Sequence, residues 1–213
     1  MRRVLTIIGA IGALAAAAVW WRRQREAPTP FSARLSWVLS LPQFEHARAD
    51  VILDRLDLRP GMRVLDAGAG TGRLSIPAAR RVAPNGEVVA VDIQPEMLAK
   101  LEQRAAAEGV TNIRTVQAAL GSGALEPESF DRALLVAVLG ETPDQLAVLR
   151  ELHAALKPGG ILSVSEGFPD PHYQRADHVR ALAAVAGFRP WQEWRTRLGY
   201  TLHLVKEETA LTP

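Results

Sequence analysis

One stretch constrains the fold more than any other: Val64 to Leu74, VLDAGAGTGRL. An apolar run ends on Asp66, and Gly68, Gly70 and Gly72 follow at every second position. A short apolar run that breaks into glycines and resumes with helical spacing reads as strand, tight turn and helix. Glycine supplies backbone conformations closed to other residues and removes side chains where something passes close by. A chain built around such a turn is an α/β protein with a ligand-sized opening at one strand end.

The flanking sequence repeats the alternation. Strands are predicted over Met62–Ala67, Glu87–Asp92, Ile113–Gln117, Asp131–Leu139 and Ile161–Glu166. Helices are predicted over Thr71–Val82, Pro95–Glu108, Pro143–Leu156 and Ala176–Ala186. Pro95 stands in a first helical turn, and Gly109 and Gly187 lie just past helix ends. Near-continuous apolar strands separated by helices predict a parallel sheet covered on both faces. Before the first strand, Ala33–Leu58 has helical spacing broken at Leu41–Pro42, which predicts two helices. At the other end, Arg189–Arg197 and Tyr200–Val205 are strand-like runs joined only by Leu198–Gly199. With no crossover helix between them, this pair is expected to be antiparallel.

Two kinds of nucleotide ligand suit a glycine turn at the end of a parallel strand. A dinucleotide site wants G-x-G-x-x-G, but Gly68-Ala-Gly70-Thr-Gly72-Arg73 puts an arginine in the third glycine's place. Asp66 would repel a pyrophosphate and suits an ammonium group instead. Asp92 ends the second strand, 26 residues after Asp66, where an acid accepts the two hydroxyls of a ribose. A nucleoside bearing an ammonium group is the better match, with backbone N–H groups of the turn expected to face it.

These residues resemble the class I S-adenosylmethionine-dependent methyltransferases. The likeness covers about Phe31 to Lys206 and is carried by VLDAGAGTG, VVAVDIQPEML, FDRALLVAVLGE, LHAALKPGGILSVSE and the VAGF that leads into the final hairpin. The resemblance implies a Rossmann-like three-layer α/β/α sandwich with a seven-stranded, mostly parallel sheet whose last strand is antiparallel. It implies S-adenosyl-L-methionine as cofactor, with Asp66, Gly68, Gly70 and Gly72 at its methionine part, Asp92 on the ribose and Ile93 against the adenine. Where the family commonly has an acid near the adenine amino group, this chain reads Gln117-Ala118-Ala119-Leu120, so Ala119 and Leu120 would have to serve through backbone or apolar contact.

Charge and composition narrow the partners. Five arginines (Arg2, Arg3, Arg22, Arg23 and Arg25) and Glu26 fall in residues 1–27, leaving residues 28–213 with a net charge of about −2. A basic nucleic-acid groove is therefore not expected. The absence of cysteine excludes disulfides, thiolate metal sites and thiol nucleophiles, and with them arsenite methylation of the cysteine-dependent type. The histidines show no metal-ligand spacing, and no metal is expected.

Val4 to Trp21 is a run of 18 residues without a charge, bracketed by arginines and ending in two tryptophans. As a helix it would extend roughly 27 Å, close to the hydrocarbon thickness of a bilayer. The expected division is a membrane anchor with a basic flank over 1–27 and the methyltransferase domain over 28–213. The rival readings are a cleaved signal peptide, for which the alanine run offers cut sites, and a buried helix. With a cytoplasmic cofactor, an anchored domain would stand at the inner membrane face.

Methyl transfer from a sulfonium mainly requires alignment, and a base is needed only when the acceptor arrives protonated. Candidates are Glu141 after the fourth strand and, in the loop after the fifth, Glu166, His172 and Tyr173. Each also has an ordinary alternative as a helix cap or packing residue. A lipid-like acceptor accounts for an anchor, a soluble small molecule does not need one, and a non-catalytic S-adenosylmethionine-binding module stands as a third reading.

Overall fold

A computed structural model describes residues 49–167 and 170–207, together with Val19 and Arg22. The apolar span over 4–21, the first of the two early helices and the loop residues Phe168 and Pro169 lie, apart from Val19, outside the described residues. Among those described, no helix is long and apolar enough to cross a membrane.

The described chain opens with α1, Ala49–Arg55, followed by β1 at Arg63–Ala67 and α2 at Ser75–Val82. Then come β2 at Glu87–Asp92, α3 at Pro95–Ala107, β3 at Ile113–Gln117 and β4 at Phe130–Val136. A one-turn 3-10 helix, Leu139–Glu141, leads to α4 at Gln145–Ala155, where Asp144 Oδ1 accepts the Ala147 N–H at 2.9 Å and caps the helix start. The chain ends with β5 at Leu156–Gly167, α5 at Ala176–Val185, β6 at Phe188–Arg195 and β7 at Gly199–Lys206.

The seven strands form one sheet in the order β3-β2-β1-β4-β5-β7-β6. Five are parallel neighbours, and β7 runs antiparallel to both β5 and β6, between which it is inserted. Burial follows position. The inner strands β1, β2 and β4 are almost wholly buried, while β3 and β6 at the two edges alternate with solvent or face it. Edge strand β6 carries Arg189, Pro190, Glu193 and Arg195, which discourage pairing with another chain.

Side chains alternate across the sheet, so consecutive residues feed opposite cores. Leu65, Val91, Leu135 and Val164 pack with Leu149 and Leu152 of α4 and Val179 of α5. Val64, Val88 and Leu134 pack on the other face with Ile52 and Leu53 of α1 and Ala78 and Val82 of α2. Leu135 is completely buried in the middle of β4. Leu135→Ala is expected to cost about 2–5 kcal/mol, measured by urea unfolding, as a cavity in a core closed on both sides.

Three boundaries differ from expectation by three residues or more. Helix α2 begins at Ser75, not Thr71, because Gly72 has φ +80° and its N–H closes a turn on the Ala69 carbonyl at 3.0 Å. Strand β4 stops at Val136, because Ala137 turns out of the sheet at φ +55°. Strand β5 begins at Leu156, five residues early: Leu156 pairs with Phe130, and Lys157–Gly160 form an irregularity in the ladder. Lys157 Nζ holds that irregularity to Asp131 Oδ1 at 2.7 Å.

Candidate functional site

In the sheet order, β1 has β2 on one side and β4 on the other, so the carboxyl ends of these strands flank the point where the order reverses. Open parallel sheets bind ligands at such a point. The glycine turn after β1, Asp92 at the end of β2 and the loops after β4 and β5 all emerge there.

The three glycines have different reasons to be glycine. All have positive φ: +82° at Gly68, +53° at Gly70 and +80° at Gly72. A Cβ at Gly68 would lie 2.3 Å from Val138 Cγ2, and one at Gly72 would lie 2.7 Å from Leu101 Cγ. Those two are required by the protein's own packing. A Cβ at Gly70 would meet nothing within 4 Å, so Gly70 is the glycine that borders open space.

The N–H groups of Gly68, Ala69, Gly70 and Gly72 point inward, onto the protein's own acceptors. The Gly68 and Ala69 N–H groups donate to the Val91 carbonyl at 2.8 and 2.9 Å, and the Gly70 N–H donates to Asp92 Oδ2 at 2.8 Å. The turn is folded inward onto β2, and with Gly72 bonded to Ala69 these donors are all engaged within the protein. What the turn offers outward is Gly70's bare backbone and the carboxylate beside it.

Asp92 is the hinge of this arrangement. It is largely buried, and its Oδ1 accepts the Gln94 N–H at 2.9 Å while Oδ2 holds Gly70. One side chain therefore fixes the glycine turn after β1 to the turn after β2, and each carboxylate oxygen has a second lone pair for a hydroxyl donor. Ile93 follows with about half of its surface exposed (51%), an apolar platform next to the carboxylate.

Asp66 sits deeper. Its Oδ2 accepts the Ser75 hydroxyl at 2.5 Å, which ties β1 to the first residue of α2. Burial pushes its carboxyl up to about 6, against opposing pulls from Ser75 and the Arg73 guanidinium. A folded-state value above the unfolded one means that Asp66 favours folding below about pH 4 and that this advantage is lost as pH rises through about 6. Asp66→Asn is expected to flatten the fall in stability of the ligand-free protein over that window by about 3 kcal/mol, read from urea unfolding at several pH values.

Beyond β3, Ala119 is exposed and its carbonyl accepts the Ser122 hydroxyl at 2.6 Å, while Leu120 packs against the α4–α5 core. The carboxylate in this neighbourhood comes from elsewhere in the chain: Glu151 of α4 accepts the Gly121 and Leu125 N–H groups.

The second half of the site lies past β4 and β5. Glu141, Glu166 and His172, far apart in sequence, come together there with Asp170. His172 Nδ1 is 3.7 Å from Glu141 Oε1 and 3.7 Å from Asp170 Oδ1, and the imidazole is only 6% exposed. Glu166 is 1% exposed; its Oε2 accepts the Gln174 N–H at 3.3 Å and its Oε1 has no hydrogen-bond partner among the described residues. Burial holds the Glu166 carboxyl well above the usual range, and the charges of Asp170 and Glu141 push it the same way. Tyr173 stands apart from the acids, partly exposed, with its ring edge-on to Tyr200 at 6.1 Å.

Three residues of this cluster carry little local sequence signal. Tyr200 donates its hydroxyl to the Gln174 carbonyl at 3.0 Å, and the Gln174 side chain donates to the His172 carbonyl at 2.7 Å. Gly140 lies under that carbonyl: a Cβ there would be 1.9 Å from His172 O. A glycine between Leu139 and Glu141 beside a strand end was the available hint. Elsewhere, His203 is fully buried between Trp191 and Trp194, where burial and the nearby Arg132 and Arg55 pull it down to about 4.

Comparison with known proteins places this geometry. A protein family described as a methyltransferase domain matches residues 58–197. A demethylmenaquinone methyltransferase from Geobacillus kaustophilus is 33% identical over 128 residues, 60% of this chain and 54% of that protein. A demethylmenaquinone methyltransferase from Staphylococcus aureus is 32% identical over 61% of this chain and 52% of its own length. The chain thus spans about half the length of the curated relatives it matches. Among solved structures, a SAM-dependent methyltransferase from Aquifex aeolicus superposes with a TM-score of 0.74 at 21% identity, over 83% of this chain and 99% of that one. That likeness is one of fold.

Proposed function

Because the chain belongs to the methyltransferase-domain family, which matches it from residue 58 to 197, we propose that it is a class I S-adenosylmethionine-dependent methyltransferase acting on a lipid-like acceptor of the quinone type. The observation that carries this reading is the opening at Gly70, bordered by the Asp92 carboxylate and the exposed face of Ile93. These residues fit the cofactor: Asp92 accepts ribose hydroxyls, Ile93 covers one face of a purine, and Gly70 leaves room for the chain between them. When bound, S-adenosylmethionine supplies an electrophilic methyl group on a sulfonium. Asp66, tied to Ser75 behind the turn, supplies negative charge on the side of the methionine ammonium.

The acceptor class is supported by the curated relatives, whose names specify demethylmenaquinone. It is also supported by the uncharged run over 4–21, which as an anchor would hold the domain at the inner membrane face, next to an acceptor dissolved in the bilayer. Purified protein given a radiolabelled methyl donor and a membrane lipid extract is expected to label a lipid, whose mass rises by one CH₂. Uptake of S-adenosylhomocysteine by calorimetry checks the cofactor separately. If the protein bound neither S-adenosylmethionine nor its product, the reading would be wrong; if label went only to soluble metabolites, the acceptor class would be.

A further inference from the structure

We propose that the exposed edge formed by the start of α5, the end of β6 and the β6–β7 turn docks on an anionic lipid bilayer, which turns the mouth of the site toward the membrane. The inference rests on the lipid-like acceptor read above and names the surface through which that acceptor is reached. The edge is continuous. Gly199 pairs with Gly167 at the end of β5, so the β6–β7 turn lies beside the loop that follows β5. Tyr200 ties the two together, with its ring edge-on to Tyr173 at 6.1 Å and its hydroxyl donating to the Gln174 carbonyl at 3.0 Å. Arg175 before α5 and Arg195 at the end of β6 both reach the Asp177 carboxylate at 4.0 Å. Tyr173, Arg175, Arg195, Arg197 and Leu198 are all exposed.

The charge on this edge is positive. Arg175, Arg180, Arg195 and Arg197 stand against two outward carboxylates, Asp177 and Glu193; Arg180 pairs with both, and Arg195 pairs with Glu193. Arg197 has no ion pair among the described residues. The carboxylates of Glu141, Glu166 and Asp170 lie beneath and are largely buried. Because residues 28–213 carry a net charge of about −2, an anionic surface attracts this edge while the domain as a whole is weakly repelled. The result is an orientation, not only an attraction.

The turn is made for the headgroup layer. Its backbone is held from within: the Thr196 N–H donates to the Gly199 carbonyl at 2.8 Å, and Thr196 Oγ1 accepts the Leu198 and Gly199 N–H groups at 3.2 and 3.0 Å. A tip that satisfies these donors itself loses little on leaving water. Arg197 is then offered to lipid phosphates and Leu198 to the boundary with the acyl chains. Inside the rim, a recess of about 430 Å³ is bordered by Tyr173, Gln174, Arg175 and His178, a polar lining that suits a headgroup and not an acyl chain. An acceptor leaving a bilayer docked here enters beside the ends of β4 and β5 without crossing bulk water.

The absence of cysteine makes the test direct, since one introduced thiol carries a fluorophore at a chosen place. The full chain labelled at Leu198→Cys is mixed with phosphatidylglycerol–phosphatidylcholine vesicles containing a spin-labelled lipid. Val185→Cys, exposed at the far end of α5, is the control. The Leu198 label is expected to shift to the blue and to be quenched at least about threefold more than the Val185 label. The effect should shrink on phosphatidylcholine alone and at high salt, and Arg197→Glu should lower the quenching at least about twofold. Equal quenching at the two positions, a Leu198 label that stays in water, or indifference to Arg197→Glu overturns the proposal. A blue shift without vesicles that grows with protein concentration shows a second copy of the chain on this edge and overturns it as well. Should Leu198→Cys fold poorly, Arg197→Cys moves the label by one residue and the comparison with Val185→Cys decides. S-adenosylhomocysteine calorimetry on the same samples keeps the two readings apart: intact binding with a hydrated label defeats the docking surface alone, whereas wild-type protein that fails to bind it defeats the methyltransferase reading.

Discussion

Asp92→Ala is expected to weaken S-adenosylhomocysteine binding by about 10²–10⁴-fold, because two charge-assisted hydrogen bonds to the ribose are lost at about 1.5–3 kcal/mol each. The variant also removes the acceptor shared by the Gly70 and Gln94 N–H groups, so the glycine turn loses its tie to β2 and the opening at Gly70 is no longer held in shape. Asp92→Asn separates the two contributions. Its single amide oxygen can keep one of the backbone bonds, while its NH₂ opposes the donors of a ribose. Titration calorimetry on both variants, beside a thermal unfolding curve for each, is the measurement. An Asp92→Ala protein that binds the nucleoside as tightly as wild type would remove this carboxylate from the site.

Gly140→Ala is expected to bring the second large loss, of about 10²-fold or more in kcat, together with destabilisation of about 1–3 kcal/mol from overpacking. The added methyl would meet the His172 carbonyl oxygen at 1.9 Å and the Gln174 amide nitrogen at 2.8 Å. The first obstacle is backbone and cannot rotate away. Relief requires the 3-10 helix and the His172 loop to part, which moves Glu141 from the imidazole it faces. Cofactor binding, which uses the β1 and β2 ends, should survive. Kinetics with unchanged kcat would mean that the loop and the 3-10 helix do not work as a unit.

The order of elements was legible because the inner strands are near-continuous apolar runs and two helices end at a glycine: Gly109 past α3 and Gly187 past α5. The antiparallel final pair was legible from Leu198–Gly199 alone. Its insertion beside β5 was not, since pairing of Ser163 with His203 is a matter of two strands distant in sequence. The glycine turn was read correctly as a close approach, but its cause was mistaken in part: Val138 and Leu101 crowd Gly68 and Gly72, and neither contact has a local signature. Glu141, Glu166 and His172 could be named one by one from chemistry and loop position. That they meet, and that Gly140 and Gln174 hold them, depends on tertiary contacts between two loops.

The place of β7 has a consequence for synthesis. That strand follows every other described strand in the chain, yet among the described residues β6 hydrogen-bonds to no other strand and β5 presents one open side until β7 arrives. A nascent chain halted before Gly199 would expose two unpaired strand edges at once, a state inviting self-association. Emergence of β7 and closure of this sheet are therefore a single event, and truncations that remove β7 should yield insoluble material in place of a shortened enzyme.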